Sequence, residues 1–287
     1  MFSKLQQKWQ AIKLITRMDK PIGTYLLLWP TYWALWIASD GWPTMHLLVV
    51  FSLGVFIMRS AGCVINDFAD RNIDGDVERT KNRPLVSGMM SSTEAINLFG
   101  LLIGMALGLV LTLSWPTIYL SAVALLLAAS YPFMKRYTQL PQVVLGAAFS
   151  WGMIMAFSEA QGEIPIIAWL LFIANLCWTV AYDTIYAMVD REDDLKIGVK
   201  STAILFADND KRIVGFLQLI TLGLLWTVGD MLAFGWPFQL SLVVAAALFS
   251  YQQILIINRE REACFEAFLH NHWVGMVVFC GIFVEYF

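Results

Sequence analysis

The amino-acid sequence predicts an all-α polytopic membrane protein with nine transmembrane helices. Three observations predict it. Hydrophobic residues make up 59% of the 287-residue chain and charged residues only 14%, against roughly 45–50% and about 25% in soluble domains. Stretches free of Asp, Glu, Lys and Arg recur at membrane-spanning length. The basic residues fall on alternate connections between those stretches. With a mean hydropathy of +0.64, a soluble fold of this length could not hide its apolar surface. The same figures exclude disorder, collagen, coiled coils and a secreted disulfide scaffold.

The elements follow in order. Residues 3–18 alternate basic and apolar at helical spacing, so 1–20 is expected to be an amphipathic segment on the cytoplasmic surface. Residues 21–287 form the transmembrane domain. Its uncharged stretches are 21–39, 41–58, 95–134, 137–158, 164–182, 213–229, 231–258 and 267–284. A span needs about 20 apolar residues, so 95–134 holds two, broken at Ser114-Trp115-Pro116-Thr117. Lipid offers backbone groups no hydrogen-bond partner, so these spans must be helices. The basic start followed by an apolar run mimics a signal peptide. The eight further spans, and no small-x-small site after Ala38, argue against its removal. The tryptophans around the first hairpin, Trp29, Trp33, Trp36 and Trp42, are read as interface anchors and packing residues.

Orientation comes from Lys and Arg. Every one except Arg59 falls on the side of a nine-helix chain that carries the N-terminus, and the loops around Asp40, Trp115, Ser158–Pro165 and Asp230 have none. The expected location is a bacterial inner membrane, N-terminus cytoplasmic and C-terminus periplasmic. A net charge of −3 gives no reason to expect nucleic acid. Cys63, Cys177, Cys264 and Cys280 are scattered without a CxxC pair, and His46, His270 and His272 lack ligand spacing. Neither disulfide nor zinc is expected.

The acidic residues are concentrated in two places. Asn66-Asp67-Phe68-Ala69-Asp70-Arg71-Asn72-Ile73-Asp74 closes the second span, where Asn66, Asp70 and Asp74 fall on one helical face at i, i+4, i+8. The second run, Asp183 to Asp194, closes the sixth span, with Asp183, Asp190 and Asp194 again on one face. One such run is an ordinary solvated loop. Two on the same side, each starting inside its span, mark a site, since intramembrane charges usually face a cavity and a partner. Like carboxylates packed together need a cation, and oxygen-only ligands select a hard one. Mg²⁺ shared with substrate phosphates is the natural candidate. Arg71, Arg79, Lys81, Arg83, Lys135, Arg136, Lys196 and Lys200 lie beside the acids. They are the cations that a diphosphate would also need.

These residues resemble a known family. Asn66-Asp67-x-x-Asp70-x-x-x-Asp74 followed by Arg79-Thr80-x-x-Arg83-Pro84-Leu85 resembles the intramembrane aromatic prenyltransferases. So does Tyr182-Asp183-Thr-x-Tyr186-Ala-x-x-Asp190-x-x-Asp193-Asp194-x-x-Ile197-Gly198-x-Lys200-Ser201-Thr202. Arg17-Met-Asp-Lys20-Pro21-Ile-Gly23 and Leu28-Trp29-Pro30 are similar to its 4-hydroxybenzoate polyprenyltransferase branch, of ubiquinone biosynthesis. The resemblance covers essentially the whole chain. It implies a nine-helix bundle around a cavity open to the cytoplasm, with a lateral opening for a prenyl chain. It also implies Mg²⁺ bridging both acidic motifs to a polyprenyl diphosphate, and attack on the allylic cation by the ring carbon ortho to the phenol oxygen.

On this reading Asp70, Asp74, Asp183, Asp190, Asp194 and Tyr186 are catalytic. Asn66, Asp70, Asp74, Asp190 and Asp194 hold Mg²⁺, and Arg59, Asn66, Asp67, Arg71, Lys135, Arg136, Lys196 and Lys200 bind substrate. Arg59, which topology does not explain, shares a face with positions 63, 66 and 70. It is expected deeper in the same cavity, on the carboxylate of 4-hydroxybenzoate. Three other enzymes or carriers were weighed. Another aromatic acceptor is the near alternative, and a cation-coupled transporter the distant one. Transporters bind near the midplane, whereas both motifs sit at span ends. Asp74-Gly75-x-x-Glu78-Arg79 also approaches a CDP-alcohol phosphotransferase signature, but Ser92 and Ile96 stand where that signature continues with aspartates.

Overall fold

A computed structural model describes residues 2–72, 74–76 and 80–287, with side chains for all of these except 2–5, Asp76, Lys135 and Ile197. Arg79 and the Lys135 side chain, both expected beside the site, lie outside the described residues. All regular structure among the described residues is helical. In chain order it comprises α1 (Phe2–Ile15), α2 (Ile22–Ala38), α3 (Met45–Asp70), α4 (Ser92–Val110), α5 (Trp115–Tyr137) and α6 (Pro141–Gln161). Then follow α7 (Ile166–Ile197), the short α8 (Thr202–Phe206), α9 (Asp210–Met231), α10 (Trp236–Leu255) and α11 (Arg261–Glu285).

Helix ends follow local chemistry. Ser91 and Glu94 form a reciprocal capping box that opens α4. Pro116 sits in the first turn of α5, confirming the break expected within 95–134. Gly198, in the left-handed region at φ 72°, closes α7 and donates its N–H to the Asp194 carbonyl.

Among the described residues eight spans are long and apolar enough to cross a membrane, against nine expected. The difference is α2. Its 17 residues lie at the short end of the roughly 17–25-residue range of spanning helices. Lys20-Pro21 clips it at one end and the Ser39-Asp40-Gly41 turn at the other. Conversely, α7 runs 32 residues, about 48 Å at 1.5 Å per residue. It continues well past the uncharged stretch 164–182, and its extra turns carry the second acidic motif.

In the bundle α7 packs against α6, α9 and α11, α2 packs on α6 and α11, and α3 lies along α4. At the centre the Trp33 and Trp178 rings stack with centroids 5.5 Å apart, both fully buried. Each indole N–H is satisfied, Trp33 donating to the Gly275 carbonyl at 3.0 Å and Trp178 to Asn271 Oδ1 at 2.8 Å. Satisfaction of this kind is obligatory where no water can substitute. At the basic end α1 docks on the bundle, burying Ala11 and Ile15 against Val64, Met90 and Ala95.

A cavity of about 1220 Å³ opens at that end. Along α3 its lining runs from Val50 to Asp70, about 30 Å at the helical rise. Ile103, Leu107 and Val110 of α4 and Leu125 of α5 extend the apolar part of the wall. Trp178→Ala should cost about 3–5 kcal/mol, the scale of emptying a large aromatic site, because it removes the ring stack and strands Asn271. Unfolding in mixed micelles checks this.

Candidate active site

Two helices bring the acids to one cavity. On α3, Arg59, Cys63, Asn66 and Asp70 line it, the face that the spacing predicts. Asp67 lines it too. On α7, Asp183, Tyr186, Asp190 and Asp194 do the same over three turns. The left-handed Gly198 then folds the chain back, so that Lys200 and Ser201 enter the lining. Thr202 fixes this return. Its N–H donates to Gln142 Oε1 at 3.1 Å, and its hydroxyl pairs with Thr184 at 2.7 Å.

Asp74 reaches the cavity by a different route from the one expected. Helix α3 stops at Asp70, and Asp74 opens a separate 3-10 turn, Asp74–Asp76. Asn72, Asp74 and Gly75 compete with or weaken helical hydrogen bonding, which ends the helix there. The Asp74 carbonyl accepts from Thr80 Oγ1 at 2.8 Å, and its carboxylate meets Arg83 Nη1 at 2.7 Å. Burial pushes the Asp74 carboxyl above the usual carboxylate range, Arg83 pulling it down and Asp70 adding to the rise.

Three expected substrate-binding cations are placed elsewhere. Arg71 curls back to the Phe68 carbonyl and covers that ring at 4.2 Å, outside the cavity. Arg136 is exposed and donates to the Ala69 carbonyl at 2.7 Å, holding the end of α3 rather than lining the site. Lys196 is exposed and lies 3.5 Å from Asp193, which also points away, bound by Arg261 at 3.1 Å.

Besides Arg83, already expected among the cations beside the acids, the cavity takes in Arg17, Arg261 and Tyr131, which the spacing had not pointed to. Arg17 and Arg83 converge on the buried Asp67, Arg261 reaches the mouth from α11, and Tyr131 enters from α5. Arg83-Pro84 lay within the first motif and Arg17 within the N-terminal one, a signal for both. Arg261 and Tyr131 carry no local signal.

Arg59 sits in the lining, two turns deeper than Asn66. Nη1 donates to Cys63 Sγ at 2.8 Å, while Nε is buried with no hydrogen-bond partner among the described residues. Gly23 of α2 makes this possible, since a Cβ there would collide with the guanidinium. With Nε buried and Cys63 its hydrogen-bond partner among the described residues, this guanidinium is under-satisfied.

The donor set suits a hard cation: six carboxylates from two helices and a turn, all oxygen. Among the described residues no three His, Cys, Asp or Glu stand close enough to hold an ion alone. That fits Mg²⁺, which takes one or two carboxylates and completes its shell with water and substrate phosphate. Asp70→Asn or Asp190→Asn should therefore lower turnover by about 10²-fold or more, the cost of losing one group that stabilises transition-state charge. Asp193→Asn should retain most activity. Steady-state assays of the three variants check the distinction.

Comparison with known proteins identifies the family and the fold. Residues 27–275 match the UbiA prenyltransferase family. A 4-hydroxybenzoate octaprenyltransferase of Colwellia psychrerythraea is 82% identical over 286 residues, covering 100% of both chains. One of Yersinia enterocolitica is 58% identical over 99% of each. Among solved structures, the apo form of a UbiA homolog from Aeropyrum pernix superposes with a TM-score of 0.81 at 24% identity, over 91% of this chain and 97% of that one. A UbiA homolog from Archaeoglobus fulgidus bound to GPP and Mg²⁺ gives 0.70 at 17%, over 95% and 99%. The chain is a multi-pass membrane protein belonging to the UbiA prenyltransferase family.

Proposed function

We propose that the chain transfers a polyprenyl group from polyprenyl diphosphate to 4-hydroxybenzoate. The new bond forms at the ring carbon ortho to the hydroxyl, giving 3-polyprenyl-4-hydroxybenzoate and diphosphate, a step in ubiquinone biosynthesis. The place is a bacterial inner membrane, with the acidic end of the bundle cytoplasmic. One observation carries the reading: two carboxylate arrays and an under-satisfied guanidinium face a single cavity whose wall along α4 and α5 is largely apolar. The full-length relatives named 4-hydroxybenzoate octaprenyltransferase, at 82% and 58% identity, support the acceptor. The GPP and Mg²⁺ bound by the Archaeoglobus homolog support the donor and the metal.

Each part of the cavity has a task. Asp70, Asp74, Asp190 and Asp194, with Asn66, would hold Mg²⁺, which when bound neutralises charge on the departing diphosphate. Arg83 and Lys200 stand at the mouth to take the remaining phosphate oxygens. The apolar lane along α3, α4 and α5 receives the prenyl chain and keeps water from the allylic cation. Tyr186, stacked on Phe268 with centroids 4.4 Å apart, and Tyr131 present ring faces to that cation. Arg59 grips the acceptor carboxylate bidentately, turning the phenol end toward the acids. Asp183, about two turns deeper on α7 than Asp190, is a lining carboxylate that could take the ring proton.

The test is purified protein with a polyprenyl diphosphate and a panel of acceptors. Prenylated 4-hydroxybenzoate should form with Mg²⁺, stop with EDTA and return on re-addition. Product with homogentisate or dihydroxynaphthoate, but none with 4-hydroxybenzoate, would reassign the acceptor. Arg59→Lys keeps the charge but loses the fork, so it should raise acceptor KM about tenfold, or ~1.4 kcal/mol, with donor KM nearly unchanged. Were donor KM to move instead, the two subsites would be exchanged.

A further inference from the structure

One interaction at the mouth joins the N-terminal segment to the donor site. Asp67 is 1% exposed. Two guanidinium groups meet it: Arg17 Nη2 at 2.8 and 3.0 Å from its two oxygens, and Arg83 Nη1 at 3.0 Å. The same Arg83 Nη1 lies 2.7 Å from Asp74 Oδ2. Four charges thus alternate in sign across the mouth, from Arg17 through Asp67 and Arg83 to Asp74. Arg17 lies just beyond the end of α1, which is itself anchored through Ala11 and Ile15.

The backbone at Arg17 marks the position as one where the side chain matters. Its φ is +58°, a left-handed conformation at a helix end, where glycine is the usual residue. An arginine there accepts backbone strain that glycine would avoid. Both Nη atoms are engaged, Nη1 donating to the Leu14 carbonyl at 2.6 Å while Nη2 takes Asp67. The turn therefore aims a guanidinium at Asp67.

We propose that Arg17 is a positioning residue of the donor site. By sharing the buried charge of Asp67 with Arg83, it lets the same Arg83 Nη1 sit closer to Asp74, at 2.7 Å, than to Asp67, at 3.0 Å, on the side where a diphosphate would enter. Without Arg17, Asp67 would be a buried carboxylate with Arg83 as its remaining ion-pair partner among the described residues. Uncompensated buried charge is costly, so Arg83, already 3.0 Å from Asp67, would be held there by the whole charge and shared less with Asp74 and the phosphate. The N-terminal segment is then a working part of the diphosphate subsite and not only a surface anchor. This inference rests on the donor site proposed above.

The experiment measures binding of inorganic diphosphate with Mg²⁺ to the detergent-solubilised full chain by calorimetry, with donor and acceptor KM in parallel. Arg17→Gly suits the backbone conformation and removes only the side chain. It should weaken Mg²⁺–diphosphate binding by about tenfold or more, the scale on which partners of ligating groups act. Donor KM should rise while acceptor KM stays put. Arg17→Lys, which restores the charge without the fork, should fall between wild type and Arg17→Gly, and it serves if the glycine variant fails to fold. In an Asp67→Asn background, Arg17→Gly should have little further effect, because the two act through one carboxylate. Unchanged diphosphate binding in both Arg17 variants would overturn the inference. So would an equal loss with and without the Asp67 carboxylate. Failure of the wild type to bind Mg²⁺–diphosphate would instead overturn the donor site itself.

Discussion

Everything at the basic end of this bundle depends on how an apolar fold accommodates concentrated negative charge. Asp67, Asp70, Asp74, Asp183, Asp190 and Asp194 line one cavity at the end of two membrane helices. Carboxylates so placed repel one another and resist desolvation. Part of the charge is met from within, by Arg17 and Arg83 on Asp67 and by Arg83 on Asp74. Such pairing leaves the other acids at the mouth for the metal–diphosphate complex proposed above. Burial holds the Asp74 carboxyl above the usual carboxylate range despite Arg83.

The rest of the architecture serves this arrangement. Extension of α7 beyond its apolar stretch carries Asp190 and Asp194 to the level of the α3 terminus. A second ion-pair set on that side, Asp210 with Arg259 at 2.7 Å and Asp193 with Arg261 at 3.1 Å, ties the starts of α9 and α11 to it. The hydrogen bond between Arg259 and Asp210 raises the already high guanidinium pKa, so this clamp stays charged. Below the charged layer, the stacked Trp33–Trp178 pair and its satisfied indoles set the spacing of α2, α7 and α11. That spacing fixes the depth at which Arg59 can sit against Gly23.

Features governed by local spacing were legible in the sequence. The i, i+7, i+11 pattern of Asp183, Asp190 and Asp194 survives because α7 stays helical throughout. Arg59 was found by its isolation from the charge topology and by its helical phase relative to Asp70. Asp74 was read onto the wrong element, since the periodicity argument extended α3 across Asn72 and Gly75. Arg71 and Arg136 had the right charge in the right loops, yet each side chain turns to a backbone carbonyl at the end of α3. Arg17 and Arg261 were missed as partners because their acids lie 50 and 68 residues away. Spacing within one helix cannot encode such pairings. The count of spans differed at α2, where length alone decides.

The central claim is that the two acidic arrays hold a divalent metal jointly with the donor diphosphate. Electron–nuclear spin resonance of the Mn²⁺-substituted protein tests it most directly. The account predicts tight Mn²⁺ binding only when diphosphate is present, with coupling to phosphorus that disappears in both Asp70→Asn and Asp190→Asn. Mn²⁺ bound equally tightly without diphosphate, or phosphorus coupling that survives loss of either carboxylate, would contradict it.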